Sequence, residues 1–256
     1  MRLFRLTASL VIVAAVAGGC SAVVDGVARP APNLKPRPLT GQAVKQALLD
    51  GPALSRMLDQ PLVAHDPADV GGPGKLYRVD RHVSPADCLG VTEMLQASVY
   101  DSASQPAQVT DVTSESWWNN GEPAQVITVI EGVVALGSVA QAQGLFRHFS
   151  QQWQQCGGVT ASERNGPIAT TNQIGTVSVT DSIVAVTNTA TSVLPNMPAL
   201  RPTPQARAIG VRSNCLVEVQ VVFFGERRSS DPGSGNIDTS GVDIAHAIMD
   251  KVSALS

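Results

Sequence analysis

Apolar residues recur along this chain at two spacings, and the two rhythms mark helices and strands. In "GSVAQAQGLFRHFSQQWQQCGG" Val139, Ala142, Phe146, Phe149 and Trp153 return at steps of three and four, while Gln141, Arg147, Gln151 and Gln155 take the opposite side. One apolar stripe of this kind predicts an amphipathic helix, with Ser138 as its N-cap and Gly157-Gly158 as its stop. His148, beside the stripe, is expected to face solvent. A second helix is predicted in "TSGVDIAHAIMDKVSAL", where Val242, Ala245, Met249 and Val252 share a face that Ile244, Ile248 and Leu255 widen. His246 sits at the margin of that face, and the early acid and late Lys251 suit the helix dipole. "TGQAVKQALLDGPALSRMLDQ" reads as two short helical pieces broken at Gly51-Pro52, and a further short helix is expected from Leu89 to Tyr100.

The strand rhythm appears in "AQVTDVTSESWWNN" and "AQVITVIEGVVAL", rich in Val, Ile, Thr and Trp and separated by the turn signal "NNGEP", which predicts a hairpin. Adjacent side chains of a strand point to opposite faces, so one of Trp117 and Trp118 enters the core and the other faces outward, either as a stacking surface or packed beneath a loop. Further strands are predicted in "QIGTVSVTD", in "SIVAVTNTA" and in "ARAIGVRSNCLVEVQVVFFGE", the last folding back about "RSN". "PLVAHDPADVGGPGKLYRVDRHVSPADC" is expected to be a loop, and "SVLPNMPALRPTP" a surface connection. Hairpins with interspersed helices predict an α+β domain over residues 40–256: two layers, helices packed on one face of a mostly antiparallel sheet.

Ahead of that domain the pattern changes. Arg2 and Arg5 precede an apolar run from Leu6 to Ala17, shorter than the roughly 20 residues a membrane-spanning helix needs. A basic start, a short apolar core and the small residues Ala17, Gly18 and Gly19 make residues 1–19 an expected signal peptide. Cys20 follows directly, as in a bacterial lipobox, and is the expected lipidation site and mature N-terminus; an ordinary signal with an incidental cysteine is the alternative. Residues 20–39 then form a tether, in which Pro30, Pro32, Pro36 and Pro38 exclude helix and favour an extended spacer. The expected location is the outer face of the cell membrane, held by the lipid anchor.

Composition narrows the function classes. A net charge of -3 with no clustered basic face speaks against a nucleic-acid partner. No G-x-S-x-G elbow surrounds a serine, and His65, His82, His148 and His246 lack paired metal spacing. "GGPGK" has the wrong spacing for a phosphate loop, with Leu76 where a Ser or Thr would bind magnesium. Only "AHDPADVGGPGKLYRVDRH" gathers candidate ligands, namely His65, Asp66, Asp69, Asp80 and His82, although acidic Pro/Gly loops are usually just solvated. No catalytic residue, metal or cofactor is expected. A binding module predicts a pocket of apolar and aromatic residues, including one of the two tryptophans. A cell-envelope hydrolase or metal-dependent enzyme predicts convergent carboxylates or histidines with shifted pKa values. A structural or interaction lipoprotein predicts a filled groove.

With Cys20 assigned to lipid, Cys88, Cys156 and Cys215 remain in an oxidising compartment, where disulfides persist. Three is odd, so one thiol is left over. Cys156 ends the aromatic helix and Cys88 opens the preceding one; a bridge between them, with Cys215 free, is favoured over the other pairings, which stay open.

"PADCLGV", "VITVIEGVVALGSVAQAQGLFRHFSQQWQQCGGV", "NCLVEVQVVFFG" and "GVDIAHAIMDKV" together resemble the PknH-like extracellular sensor domain family, from about Val44 to the end, most specifically in the W-x-x-C formed by Trp153 and Cys156. The resemblance implies helices against a twisted sheet and a cleft for an unidentified ligand. It also implies two disulfides, of which Cys88, Cys156 and Cys215 match three positions and the fourth is absent. The function it implies is that of a tethered, sensor-like binding module without catalysis, whose partners are the membrane and a small-molecule ligand or envelope protein.

Overall fold

Strands β4 (Val126–Leu136) and β10 (Cys215–Phe223) are apolar at consecutive rather than alternate positions, and most residues of both are buried while the rest are half-buried. A strand of that kind must be covered on both faces. In this computed structural model, which describes residues 37–78, 82–102, 108–226 and 230–256, it is. The expected signal peptide, Cys20, most of the expected tether and Asp80 lie outside the described residues.

Helices α1 (Gln42–Gln46), α2 (Gly51–Leu58) and α6 (Ser240–Leu255) cover one face, meeting Val129, Val133, Val217, Val219 and Val221. The other face carries α3 (Leu89–Thr92), α4 (Ala97–Asp101) and α5 (Val139–Cys156) over Val134, Leu136 and Leu216. The expected α+β class with its antiparallel sheet is present, but the helices form two layers with the sheet between them, rather than one. The physical reason is visible in "VITVIEGVVAL" and "CLVEVQVVF": both parities are apolar, so one helical layer leaves half of each strand wet.

The remaining strands are β1 (Val63–Gly71), β2 (His82–Ser84), β3 (Val109–Trp118), β5 (Thr160–Asn165), β6 (Ile168–Ile174), β7 (Ser178–Val179), β8 (Ile183–Val193) and β9 (Thr203–Arg212). They form one ten-stranded sheet in the order β1-β3-β4-β10-β9-β8-β6-β5-β2, with β7 beside β8 and every pairing antiparallel. The β3–β4 and β9–β10 hairpins turn where "NNGEP" and "RSN" predict.

Several elements depart from expectation. The "loop" after residue 60 contains β1, an edge strand whose register shifts between Ala64, Asp66 and Asp69, so Pro67 falls in an irregular stretch where the ladder does not need its missing N–H. The β5–β6 hairpin was not anticipated, although Asn165-Gly166 is a hairpin signal and Gly166 has φ +57°. The segment from Leu89 to Tyr100 is two short helices, because Leu95 between them takes φ 53°. Leu95 packs on Gly132 of β4, where a Cβ would stand 2.8 Å from its Cδ1.

Candidate functional site

On the face covered by α1, α2 and α6, the β3–β4 register sets Glu115 directly opposite Glu131 and Trp117 opposite Val129. Glu131 is fully buried in the apolar middle of β4. Its Oε2 accepts the Leu49 N–H at 3.1 Å and its Oε1 accepts the Trp117 Nε1–H at 3.2 Å. Burial pushes its carboxyl up to about 8, against these two donors. The Trp117 ring lies on Gly51 at the start of α2, where a Cβ would come within 2.7 Å of the indole, so glycine is required for that contact. Above the indole opens a cleft of about 340 Å³, walled by Lys45, Leu48, Leu49, Ala68, Glu115 and Lys251. Lys251 Nζ donates to the Leu48 carbonyl, pinning the end of α6 to the chain between α1 and α2. Burial raises the Glu115 carboxyl, while the Ala68 backbone and Lys45 oppose the shift. The cleft therefore offers an aromatic face, a carboxyl that holds its proton more tightly than usual, and two ammonium groups.

The opposite face holds a second buried polar group with no outlet. Arg207, fully buried on β9, lies 3.3 Å from Glu218 on β10 and donates to the carbonyls of Gly90, Val91, Glu93 and Val219. Its guanidinium also stands 5.6 Å from the centre of the Trp153 ring. Tyr100 donates to Glu218 at 2.6 Å, and burial followed by the Glu218 charge raises its phenol well above the ordinary value. Burial lowers Arg207, while Glu218 opposes that shift. Three residues after Trp153, Cys156 bonds Cys88 across a Cα–Cα distance of 5.7 Å. The W-x-x-C thus has a physical content: the tryptophan carries the buried arginine, and the cysteine fastens the segment whose carbonyls that arginine binds.

Among the described residues Cys215 is the free cysteine, buried, with its thiol pushed up to about 12 by burial. Among the other residues singled out, Trp117 packs inward and Trp118 is exposed with its ring 5.5 Å from that of His65. Asp66 accepts from Ser116 Oγ and Asp69 pairs with Lys75 of the "GGPGK" turn, so these acids serve the β1–β3 edge. Among the described residues no cluster of His, Cys, Asp or Glu is placed to hold a metal. His148 is half-buried against Phe149 rather than fully exposed, and His246 faces solvent. Glu131, Glu218 and Arg207 were not singled out from the sequence. Their signal is a charged residue inside an otherwise apolar strand, as in "VIEGV" and "LVEVQV".

The profile of the PknH-like extracellular domain family matches residues 39–251. Among curated proteins there is no match. Among solved structures, the extracellular domain of PknH from Mycobacterium tuberculosis matches with a TM-score of 0.67 and 17% identity, over 85% of this chain and 98% of that one. An uncharacterized protein from Mycobacterium smegmatis, an Rv0999 ortholog, gives a TM-score of 0.35 at 10% identity, over 76% of this chain and 88% of its own. With the profile spanning the whole sheet and both helical layers, and the fold shared with the PknH structure, this chain belongs to the PknH-like extracellular domain family.

Proposed function

We propose that this protein is a lipid-anchored, extracytoplasmic, sensor-like module that captures a small hydroxyl-bearing molecule or envelope component in the Trp117 cleft, without catalysing a reaction on it. The observation that carries this reading is the indole held in place by a buried carboxyl at the base of an open cleft. An aromatic face takes the apolar side of a sugar ring or polyol, and Glu115 with the lysines supplies acceptors and donors for its hydroxyls. Paired carboxylates would suit a hydrolase, but Glu131 has both oxygens engaged within the fold and is fully buried, which leaves Glu115 to act alone.

The test is a fluorescence titration of the purified chain with glucose, galactose and glycerol. A saturable change that Trp118→Phe retains and that Trp117→Phe and Glu115→Gln lose is the expected result. Absence of any saturable response, or one that survives both cleft substitutions, would overturn the assignment.

A further inference from the structure

Leu39, near the start of the described residues, is clamped to the β9–β10 turn. Asn214, fully buried there, accepts the Leu39 N–H at 2.7 Å and donates to the Leu39 carbonyl at 3.0 Å. That end of the sheet is therefore the end at which the segment from Cys20 arrives. Beside the same turn lies a groove of about 600 Å³ between α5, the turn joining β7 to β8, and the β9–β10 turn.

The chemistry of this groove differs from that of the Trp117 cleft. Arg147 from α5 and Arg212 from the end of β9 flank it, both exposed, and neither forms an ion pair among the described residues. Ser213, held at φ 52°, also lines it, and its hydroxyl oxygen is buried without a hydrogen-bond partner among the described residues. A buried hydroxyl in that condition calls for a ligand or water. Phe146 and Val211 supply a buried apolar floor. Asp181 on the rim offsets one of the two guanidinium charges. The remaining single positive charge matches a phosphodiester, whereas a phosphomonoester carries close to two negative charges and meets Asp181 less favourably.

We propose that this groove binds the phosphodiester of an anionic phospholipid headgroup, with the glycerol on the apolar floor, and so seats the domain against the membrane. The occupant is argued from the charge match, and the Leu39 clamp on the same β9–β10 turn, from the α1 side, brings the incoming chain to this end of the sheet. The membrane orientation rests on the lipid-anchor part of the functional reading, but the binding step does not.

The experiment is a titration of the purified full chain with soluble dihexanoyl phosphatidylglycerol, dihexanoyl phosphatidylcholine and inorganic phosphate, read by hydrogen exchange of backbone amides and by apparent affinity. Protection over 143–154, 179–182 and 211–213 by phosphatidylglycerol is expected, with phosphatidylcholine weaker because its choline faces the arginines. Arg147→Gln combined with Arg212→Gln is expected to weaken phosphatidylglycerol binding by about tenfold or more, the loss of at least one charge-assisted hydrogen bond. Ser213→Ala leaves both charges in place and should weaken it less. Equal or tighter binding of inorganic phosphate would make this a site for free anions and overturn the lipid assignment. Protection elsewhere, protection that survives the double substitution, or none at all would overturn the proposal. Because soluble lipid is the probe, a negative result leaves the anchor itself and the Trp117 cleft standing, and failure of the anchor leaves this result interpretable.

Discussion

Glu131 is the residue at which fold and candidate site meet. Its carboxyl is pushed up to about 8 in the folded chain, against an ordinary value of 4.5. Between those two values the unfolded chain has lost the proton and the folded chain retains it, so rising pH favours unfolding across that window. Below it both states are protonated and above it both are ionised, so the effect is confined to the interval. Stability should fall as pH rises from about 5 to 8, by up to about 1.4 kcal/mol per pH unit from this group. Glu131→Gln keeps the shape and an acceptor while removing the titration. Denaturant unfolding at several pH values should show a flatter profile for the variant in that window; an unchanged slope would mean that Glu131 ionises normally in the folded state. At "VIEGV" a glutamate interrupts an apolar run, a signal of a buried carboxyl, although Glu131 was not singled out from the sequence. The sequence does not show that the donors come from Leu49 and Trp117, because those contacts depend on how α1 and β3 pack around β4.

At the scale of elements, α3 is the instructive case, being only four residues long and too short to be stable alone. Two ties hold it in place: the Cys88–Cys156 bond to α5, and the Arg207 guanidinium of β9, which binds the carbonyls of Gly90, Val91 and Glu93. The bond closes a loop of 68 residues, worth about 4 kcal/mol in the chain-entropy treatment. Removing the arginine leaves Glu218 buried without its cation and several carbonyls without a donor. Arg207→Ala should therefore lose about 3–5 kcal/mol in chemical denaturation, whereas replacing Arg207 and Glu218 together with apolar residues of similar volume should recover much of that loss. A loss below about 1 kcal/mol would show that water reaches the pair and does the arginine's work. Long periodic elements such as α5, α6, β4 and the β9–β10 hairpin were legible from the sequence, since their burial pattern repeats over many residues. The edge strand β1 was not, because an edge needs neither alternation nor a full set of donors, and "AHDPADVGG" has the composition of a loop. The second helical layer was missed for a different reason: two-sided burial of β4 and β10 was written in their composition, but the helices over one face come from both ends of the chain and those over the other from its middle.

Over the whole molecule, the segment that joins the sheet at Leu39 is also a wall of the Trp117 cleft. Leu39 is held by Asn214, and a few residues later Lys45, Leu48 and Leu49 line the cleft while the Leu49 N–H holds Glu131. Asn214 further donates to the Leu136 carbonyl at 2.8 Å, so one amide joins the incoming chain, the end of β4 and the β9–β10 turn. Asn214→Ala strips the partners from Leu39 and from the Leu136 carbonyl at one stroke, and should lower stability by about 1–3 kcal/mol. Its distribution matters more than its size. If the clamp acts locally, hydrogen exchange should rise through Leu39–Leu49 while α5, fastened by the disulfide on the other face, keeps its protection. Sugar or polyol binding at Trp117 should then weaken although no residue of the cleft has been altered, since its α1 wall has loosened. A uniform rise in exchange, reaching α5 as much as α1, would instead show that Asn214 secures the sheet as a whole and that the Leu39 clamp and the cleft are not mechanically linked.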